Sequence, residues 1–422
     1  MPGDAPENDE PGTMNQLTRA YFDHAAGTPV DSRVLGAMLP YFREQFGNPQ
    51  SIYAEGRAAK AALDPSRQQV ARLLNAEPEE IIFTASGSES NNLALKGIAA
   101  ARSDKGRHIV ISAIEHVSVQ STARTLGRHG FQVTEVPVDD KGVVDPAAVK
   151  AAIRKDTILV SVMAANNEVG TIQPLAEIAG VCREAGTLFH TDAVAACGVI
   201  PIDVRVLSID CLTLAAQTIG GPKGAAALFA RKGLRLPSQI EGGNQENNRR
   251  AGSENMPAIV GLGKAAELAQ AEMASRAAAS TVLRDRLIRE LPVRVERSYL
   301  TGHPNQRLPG HASFCIEFIE GEAMLLFLDD AGISVASGSA CTSKSLKASH
   351  VLLAMGLPHS LAQGSLMLTL SPENTDDDVT RLLEAMPGVV RRLRQMSPLY
   401  AQFQKDPAGY AERLSKEKEC HV

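Results

Sequence analysis

The feature that most constrains the fold is an alternation of short apolar runs with longer helical patterns over residues 20–265. Seven apolar runs have the length of strands: residues 79–86, 108–116, 131–138, 157–166, 187–195, 211–217 and 224–230. Between several of them lie amphipathic helix patterns, such as residues 91–101 and 175–185. Apolar strands that alternate with helices form mainly parallel sheets covered on both faces. The predicted fold class is therefore α/β, with a ligand site beyond the carboxyl ends of the strands.

The rest of the sequence predicts a second, smaller α+β domain. A long helix rich in Ala, Glu and Arg is predicted at about residues 254–291 and leads into it. A strand, a helix, a strand with a loop, and a further strand follow at residues 311–320, 322–332, 333–341 and 365–372. The predicted units are a disordered leader (1–19), a large α/β domain (20–265), a small α+β domain with the Cys341 loop (266–400) and a polar tail (401–422).

Charge and hydropathy exclude several classes of function. The net charge is −5, so the chain lacks the excess of Lys and Arg that binding to a phosphate backbone requires. No unbroken apolar stretch of about 18 residues is present. The first residues are acidic, rich in Pro and Gly, and lack the apolar centre of a signal peptide. We therefore expect a cytoplasmic protein with no membrane span and no nucleic-acid partner.

The cysteines do not follow the spacing of a disulfide framework or a zinc site, because no CxxC pair is present. Four of them, which lie in predicted helices and strands, are expected to be small buried apolar side chains. These four are Cys182, Cys197, Cys211 and Cys315. Cys420, next to His421, is expected to be an exposed tail thiol, and metal binding or sulfur transport is the alternative.

A Gly- and Ser-rich turn joins the first apolar run to the following helix. Ser86, Gly87 and Ser88 lie in this turn, where backbone N–H groups, hydroxyls and the positive end of the helix dipole form an anion site. The alternative is that Ser88 or Ser90 caps the helix and no ligand binds there. The turn alone does not decide between the two interpretations.

A series of motifs along the chain helps to interpret the turn at residues 86–88. They lie at residues 21–26, 46–49, 83–97, 114–116, 166–170, 190–192, 221–224 and 336–343. In this order and spacing the chain resembles cysteine desulfurases of the NifS/IscS type, which are class-V aminotransferase-like enzymes of fold type I. The resemblance covers about residues 20–400. It implies pyridoxal phosphate (PLP) held by a lysine as a Schiff base, and conversion of cysteine to alanine with a persulfide left on a loop cysteine.

The resemblance assigns a phosphate-binding role to four residues of this chain. Ser86, Gly87 and Ser88 match the phosphate cradle of the family. Ser253 stands where a threonine from the other subunit of a dimer contacts the phosphate. The resemblance therefore also implies that the chain forms dimers.

The resemblance assigns further roles around the cofactor ring. His116 matches the imidazole that stacks on the ring, Asp192 the carboxylate that pairs with its nitrogen, and Asn167 a residue near its oxygen. Cys341 matches the persulfide cysteine. For each one alone there is a simpler alternative. Asp192 could cap a turn, His116 could be a satisfied core histidine, and Cys341 could be an inert loop thiol.

The sequence departs from the family on the lysine side of the site. Where the family has Ser-x-His-Lys, this chain has Ala215, Ala216, Gln217 and Thr218, so that Thr218 occupies the place of the Schiff-base lysine. A hydroxyl forms no imine and does not shuttle a proton as an amine does. Ala195 replaces a glutamine beside the cofactor oxygen. PLP is therefore expected to bind non-covalently at most.

The substrate side departs as well. Met367 and Pro372 occupy the places of two arginines that would bind the carboxylate of the substrate. Bidentate binding of a carboxylate requires a guanidinium, so the sequence predicts that this contact is lost. Lys223 is the nearest remaining lysine, but the family has its own structural lysine at that position.

Three hypotheses follow from this pattern. The first is a desulfurase-like protein that does not desulfurate cysteine itself but uses Cys341 to carry sulfur, or to assist iron–sulfur cluster assembly on a scaffold protein. The second is an active PLP enzyme with a non-covalent cofactor or with Lys223 as its lysine. The third is a non-catalytic subunit that forms a heterodimer with an active desulfurase paralogue.

Overall fold

The computed structural model of the chain describes residues 19–338 and 348–410. Its strands are β1 (Ala20–Tyr21), β2 (Ile81–Thr84), β3 (His108–Ser112), β4 (Gln132–Val136), β5 (Thr157–Ser161), β6 (Leu188–Asp192), β7 (Cys211–Ala215), β8 (Ala226–Ala230), β9 (Ser298–Leu300), β10 (His311–Ile316), β11 (Ile333–Ser334) and β12 (Ser365–Thr369). The predicted leader lies almost entirely outside the described residues.

The helices alternate with these strands in the first part of the chain and cluster near its end. They are α1 (Ser32–Met38), α2 (Pro40–Arg43), α3 (Ala54–Leu74), α4 (Gly87–Arg102), α5 (Val117–Arg128), α6 (Pro146–Ala152), α7 (Leu175–Ala185), α8 (Gln245–Asn248), α9 (Met256–Arg294), α10 (Gly321–Asp330), α11 (His350–Ala354), α12 (His359–Ala362), α13 (Asp376–Met396) and α14 (Pro398–Lys405). Among the described helices, none is long and apolar enough to cross a membrane.

The central sheet has seven strands in the order β2-β8-β7-β6-β5-β3-β4. The neighbours from β7 to β4 run parallel, and β8 runs antiparallel to both of its neighbours. All seven predicted strands are present. The predicted α/β class with a mainly parallel sheet is thereby confirmed.

Both faces of the central sheet are covered, because successive residues of each strand point to opposite faces. Ile109 of β3 packs in a core with α4 and α5. Its neighbour Val110 packs in a second core with α3, α7 and α9. This two-sided burial explains why the strands are continuous apolar runs in the sequence.

The second domain is built on a three-stranded antiparallel sheet in the order β12-β10-β9. Its core contains residues of α10, α13 and the last part of α9. Ala20 and Phe22 are fully buried in the same core, and β1 pairs with β11. The first described strand therefore belongs with the small domain, although the sequence placed it with the large one.

The first ten residues of the segment that was predicted to be a polar tail are folded. Tyr410 is buried, and its ring lies 4.9 Å from the ring of Phe318. Phe403 of α14 stacks on the same ring at 4.8 Å. Residues 401–410 thus pack against the second domain. The last residues of the segment, with Cys420, lie outside the part of the chain that the structure describes.

The predicted buried cysteines are confirmed. Cys182, Cys197, Cys211 and Cys315 are all free thiols with buried side chains. Burial raises the pKa of Cys182, Cys197 and Cys315 to about 12. These thiols remain protonated at neutral pH and are poor nucleophiles.

Candidate functional site

A cavity of about 850 Å³ lies at the carboxyl ends of the parallel strands. Its walls come from the turns that follow β2, β3, β5, β6 and β7, and from β10 and β12 of the second domain. This is the position that the α/β architecture predicts for a ligand. Six predicted site residues line it: Ser86, Gly87, Ser88, His116, Asn167 and Asp192.

The turn at residues 86–88 is shaped by the start of α4. Ser86 is the N-cap residue, and its Oγ accepts a hydrogen bond of 3.1 Å from the backbone N–H of Glu89. The prediction that Ser88 or Ser90 caps the helix is therefore wrong. Ser90 is buried instead, 2.7 Å from the hydroxyl of Thr84. The cap still leaves Ser86 and Ser88 in the cavity wall.

A glycine is required at residue 87 because the turn that follows β6 comes very close to the start of α4. A Cβ atom added at this position would lie 2.8 Å from Cγ2 of Val194. Any larger residue would push α4 away from the segment that follows β6. The glycine thus keeps the N–H groups at the start of the helix at the cavity surface.

Asp192 is the last residue of β6, and it is 4% exposed. One carboxylate oxygen accepts a hydrogen bond of 3.0 Å from the N–H of Val194. The other accepts one of 2.6 Å from Nδ2 of Asn91. The turn-capping contact is present, but the carboxylate also lines the cavity. It is therefore held in place and can accept a hydrogen bond from a ligand.

Asn91 was not predicted as a site residue. Its amide also donates to the hydroxyl of Ser118, at 2.8 Å. Because its partners lie on α5 and β6, only the folded structure reveals the network. The signal in the sequence was its place in the run at residues 83–97.

His116 is the N-cap residue of α5 rather than a core histidine. Its Nδ1 accepts a hydrogen bond of 3.2 Å from the N–H of Ser118. The ring is half-buried and lines the cavity. This interaction fixes the tautomer and orientation of the ring, so that its face is available to a ligand.

Two further histidines line the cavity and were missed by sequence reasoning. Burial lowers the pKa of His24 to about 4 and that of His311 to about 3, so both rings are neutral at neutral pH. Nε2 of His311 lies 2.9 Å from the backbone oxygen of Asn167, to which it donates. His311 thereby fixes the turn that carries Asn167.

Thr218 lies in a short 3-10 turn after β7 and also lines the cavity. Two backbone oxygens lie within reach of its single hydroxyl proton, that of Val194 at 2.9 Å and that of Ala215 at 3.2 Å. The hydroxyl proton of Thr218 therefore forms its hydrogen bond with the protein's own backbone. Gln217 and Ala195 line the same part of the cavity.

No lysine is present among the described residues that line the cavity. Lys223 is exposed, and a Cβ atom added at Gly27 would lie 3.3 Å from its Cε. The Lys223 side chain thus lies beside Gly27. Its amine is not part of the cavity wall in this chain.

The cavity wall is apolar at the two positions where the sequence predicted the loss of arginines. Met367 of β12 is 8% exposed, and Met367 and Pro372 both line the cavity. The described basic side chains in the lining are Arg33 and Arg276. Both form ion pairs with Glu272, at 2.5 and 2.6 Å, and with Asp31, at 2.7 and 3.7 Å, so that two carboxylates face two guanidinium groups. Their charge is therefore compensated within the wall and is not free to bind a carboxylate.

Comparison with known proteins identifies the chain's relatives. The family described as aminotransferase class-V matches residues 20–382. The chain belongs to this family. It is 50% identical over 393 residues to cysteine desulfurase IscS of Methanosarcina thermophila, covering 93% of this chain and 96% of that protein. It is also 50% identical over 380 residues to cysteine desulfurase IscS 1 of Archaeoglobus fulgidus, covering 90% and 99%.

The fold of this class-V family member is also that of its relatives. A solved structure described as a NifS-like protein superposes with a TM-score of 0.84 at 36% identity, covering 89% of this chain and 100% of that one. The chain therefore belongs to the cysteine desulfurase branch of the class-V aminotransferase family. The resemblance derived from the motifs is confirmed.

The structure does not place the remaining two predicted site residues of this family member in the cavity wall: Ser253 lies elsewhere, and Cys341 is not among the described residues. Ser253 is exposed, between α8 and α9, and does not line the cavity of the single chain. Its predicted role across a dimer stays a prediction. Cys341 lies outside the described residues.

Proposed function

We propose that this member of the cysteine desulfurase family transfers sulfur but does not desulfurate cysteine through a lysine-bound cofactor. One observation carries the proposal. The hydroxyl of Thr218, at the place that the motifs assign to the family's lysine, lies within hydrogen-bonding distance of two backbone oxygens, and no lysine is present among the described lining residues. The described part of the cavity wall therefore offers no amine that could form the Schiff base.

The residues present fit the phosphate and the ring of PLP but not its covalent attachment. Ser86, Gly87 and Ser88 would hold a phosphate at the start of α4, and Asp192 would accept a hydrogen bond from the ring nitrogen. In the same cavity the wall offers Thr218 where an amine is needed. No step of the proposed reaction therefore takes place at the cofactor.

The loss of the arginines supports the same proposal. A hydrogen bond to a charged group contributes about 1.5–3 kcal/mol, and the side chains of Met367 and Pro372 supply none. A free amino acid such as cysteine would leave its carboxylate without a charged partner in this cavity. The site is therefore poorly suited to the substrate of an active desulfurase.

In the proposed reaction Cys341 accepts sulfur from a persulfide donor. The Cys341 thiolate attacks the terminal sulfur of the donor, a new S–S bond forms, and the donor's S–S bond breaks. The donor leaves as a thiolate, and Cys341 becomes a persulfide. The exchange is balanced without an external oxidant or reductant, and a second thiol takes the sulfur by the same reaction.

The proposed partners are those that such a carrier needs. We expect a homodimer, or a heterodimer with a desulfurase paralogue, and a sulfur acceptor or iron–sulfur scaffold protein that takes the sulfur. A heterodimer would place a lysine-bearing subunit beside this one. Co-purification with such a paralogue would favour the role of a non-catalytic subunit.

A second function is favoured by the sequence comparison. Relatives 50% identical to this chain are named cysteine desulfurases, so PLP-dependent desulfuration remains the alternative. It requires a non-covalent cofactor or a different amine. Lys223 is exposed and outside the cavity wall, so it would have to leave its observed position.

The test separates desulfuration from sulfur transfer. Purified protein is incubated with PLP, L-cysteine and a reductant, and alanine is measured beside an active desulfurase. We expect neither alanine nor a Schiff-base absorbance band. Alanine at a rate comparable to that of the active enzyme would contradict the proposal.

Sulfur uptake is measured in a second experiment. The protein is treated with glutathione persulfide, and the peptide that contains Cys341 is analysed by mass spectrometry for one added sulfur atom. We expect uptake in the wild type and in the control Cys420→Ser, and none in Cys341→Ser. Undiminished uptake in Cys341→Ser would assign the sulfur to another thiol and overturn the proposed role.

A further inference from the structure

The acidic and basic side chains of the cavity wall do not balance. The described lining contains five carboxylic acids and two arginines: Asp23, Asp31, Asp192, Glu272, Glu373, Arg33 and Arg276. Both arginines are paired with the carboxylates of Asp31 and Glu272. The two buried histidines of the wall are neutral at neutral pH. Asp23 and Asp192 therefore face the cavity without an ion pair to any described residue.

Asp23 lies on the side of the cavity that the second domain forms. It follows β1, and its backbone forms a parallel bridge with Thr369, the last residue of β12. Met367 precedes Thr369 by two residues on that strand, so the two side chains share one face of β12. All three residues line the cavity. A carboxylate thus lies in the same part of the wall as one of the positions where the sequence predicted the loss of an arginine.

The Asp23 carboxyl is in an environment that a positive charge would stabilise. Asp23 is half-buried, and this burial raises its pKa, although the backbone N–H of Ala26 acts in the opposite direction. A nearby cation lowers the pKa of a carboxyl and favours its ionised form. The carboxylate of Asp23 would therefore gain from a ligand that brings a positive charge into the cavity.

Thr218 offers the cavity an acceptor rather than a donor. Its single hydroxyl proton lies within reach of the backbone oxygens of Val194 and Ala215, and its oxygen can still accept a hydrogen bond. The oxygen of an aldehyde only accepts, so it finds no free donor at Thr218. An ammonium group has three donors and no acceptor. This position therefore suits an amine of a ligand better than an aldehyde.

The start of α4 suits a negative charge instead. The N–H groups of the first turn and the hydroxyls of Ser86 and Ser88 would hold a phosphate there. A carboxylate elsewhere on the same ligand would find no charged partner, because the guanidinium groups of the wall are already paired with Asp31 and Glu272. The described wall thus accommodates one anionic group, at the start of α4, and one cationic group.

We propose that the cavity selects a phosphate ester that carries an ammonium group and no carboxylate. Among the forms of the family's cofactor, this is the amine, pyridoxamine 5′-phosphate, rather than the aldehyde PLP, and Asp23 is the residue that binds the ammonium group. The inference rests on the proposed function only in the premise that the cavity wall offers no amine. It names the ligand class of the cavity, which sulfur transfer by Cys341 leaves open.

The test compares three ligands that differ at one group. Pyridoxamine 5′-phosphate, PLP and pyridoxine 5′-phosphate carry an amine, an aldehyde and a hydroxyl at the same ring position. Their dissociation constants for the purified full chain are measured by titration calorimetry. We expect the amine to bind at least about tenfold more tightly than each of the other two, as a hydrogen bond between charged groups does. Equal affinities, or no binding of pyridoxamine 5′-phosphate, would overturn the proposal.

Two variants test whether Asp23 is the source of this preference. Asp23→Asn removes the charge at nearly constant size, and it is expected to reduce the preference for the amine over the hydroxyl ligand to about twofold or less. Glu177→Gln removes an exposed carboxylate of α7 outside the cavity and is expected to keep the full preference. An unchanged preference in Asp23→Asn would contradict the role of Asp23. Circular dichroism verifies that both variants fold, and the wild-type measurements decide the ligand class without them.

A matched pair of ligands tests the exclusion of carboxylates. N-(5′-phosphopyridoxyl)ethylamine and N-(5′-phosphopyridoxyl)-L-alanine share the phosphate, the ring and a secondary amine, and they differ by one carboxylate. A charged group that loses its water without gaining a partner weakens binding, so we expect the alanine derivative to bind at least about tenfold more weakly. Equal or tighter binding of the alanine derivative would show that the cavity does have a free partner for a carboxylate and would contradict the proposal.

The outcomes distinguish this proposal from the proposed function. If the wild type prefers pyridoxamine 5′-phosphate but Cys341 takes up no sulfur, the ligand class stands and the sulfur-transfer role is wrong. If Cys341 takes up sulfur but the three ligands bind equally, the sulfur-transfer role stands and the ligand class is wrong. Alanine formed from cysteine and PLP at the rate of an active desulfurase would contradict the premise that both share.

Discussion

Two walls of the cavity differ in what their residues do for the fold. The cradle wall, formed by Ser86, Gly87, His116 and Asp192, contains two helix caps, a close approach and a turn contact. The replaced wall is formed by five lining residues that the resemblance predicts to replace the family's glutamine, histidine, lysine and two arginines: Ala195, Gln217, Thr218, Met367 and Pro372.

The difference shows that a residue kept at a family position does not by itself indicate that the family's reaction is kept. Ser86 and His116 would be kept for the start of α4 and α5 even if no ligand bound between them. A lysine or an arginine that faces an open cavity stabilises nothing in the fold. The residues of the cradle wall are therefore weak evidence for or against catalytic activity, whereas the residues of the replaced wall are strong evidence.

The largest effect is expected from restoring a lysine at residue 218, which tests whether the replaced wall is what prevents covalent attachment of PLP. In Thr218→Lys the amine replaces a hydroxyl that is bonded only to the backbone, at a position that lines the same cavity as the cradle wall. We expect PLP to become covalently attached, as a borohydride-stable adduct on the peptide of residue 218. The wild-type protein is expected to give no adduct at that peptide.

The matched control for the restored lysine is Lys223→Ala in both backgrounds. Because Lys223 is exposed and outside the lining, its removal is expected to leave the adduct unchanged. A PLP adduct on Lys223 in the wild-type protein would contradict the claim that the replaced wall prevents covalent attachment. It would also restore the active-enzyme alternative.

A smaller effect is expected from restoring one arginine. Met367→Arg places a guanidinium in the cavity, and we expect at least about tenfold tighter binding of L-cysteine, the lower limit for a charged hydrogen bond. Titration calorimetry of the variant and the wild type measures it. Met396→Arg, at a position 70% exposed on α13, is the control and is expected to bind as the wild type does. Equal affinities in all three proteins would show that the replaced wall is not the limiting one.

The smallest effect concerns the cradle wall itself. Ser86→Ala removes the N-cap of α4 and is expected to lower the free energy of unfolding by about 1 kcal/mol, with no ligand present. Ser88→Ala changes an exposed neighbour that also lines the cavity, and about 0.5 kcal/mol or less is expected. Denaturant unfolding measures both. Equal losses in the two variants would mean that the cap contributes nothing beyond an ordinary surface hydroxyl.

The sequence predicted the central sheet well because its strands are buried on both faces and therefore appear as continuous apolar runs. The six predicted site residues that line the cavity were named by the resemblance to the family rather than by the strand pattern, and the roles assigned to them stay predictions. The sequence did not predict His311 or Asn91 as site residues, since their contacts with Asn167 and Asp192 join residues far apart in the chain. It did not predict β1 in the second domain, because a two-residue strand has no periodicity to detect.

The pairing of β1 with β11 has a consequence for how the chain folds during synthesis. Ala20 pairs with Ile333, and Phe22 accepts a backbone hydrogen bond from Thr369. The first described residues therefore leave the ribosome long before their partners exist. The large sheet can assemble while synthesis continues, but the second core can close only when nearly the whole chain has emerged. A nascent chain stalled before residue 333 would thus expose Phe22, and the N-terminal segment is where chaperones would be expected to bind.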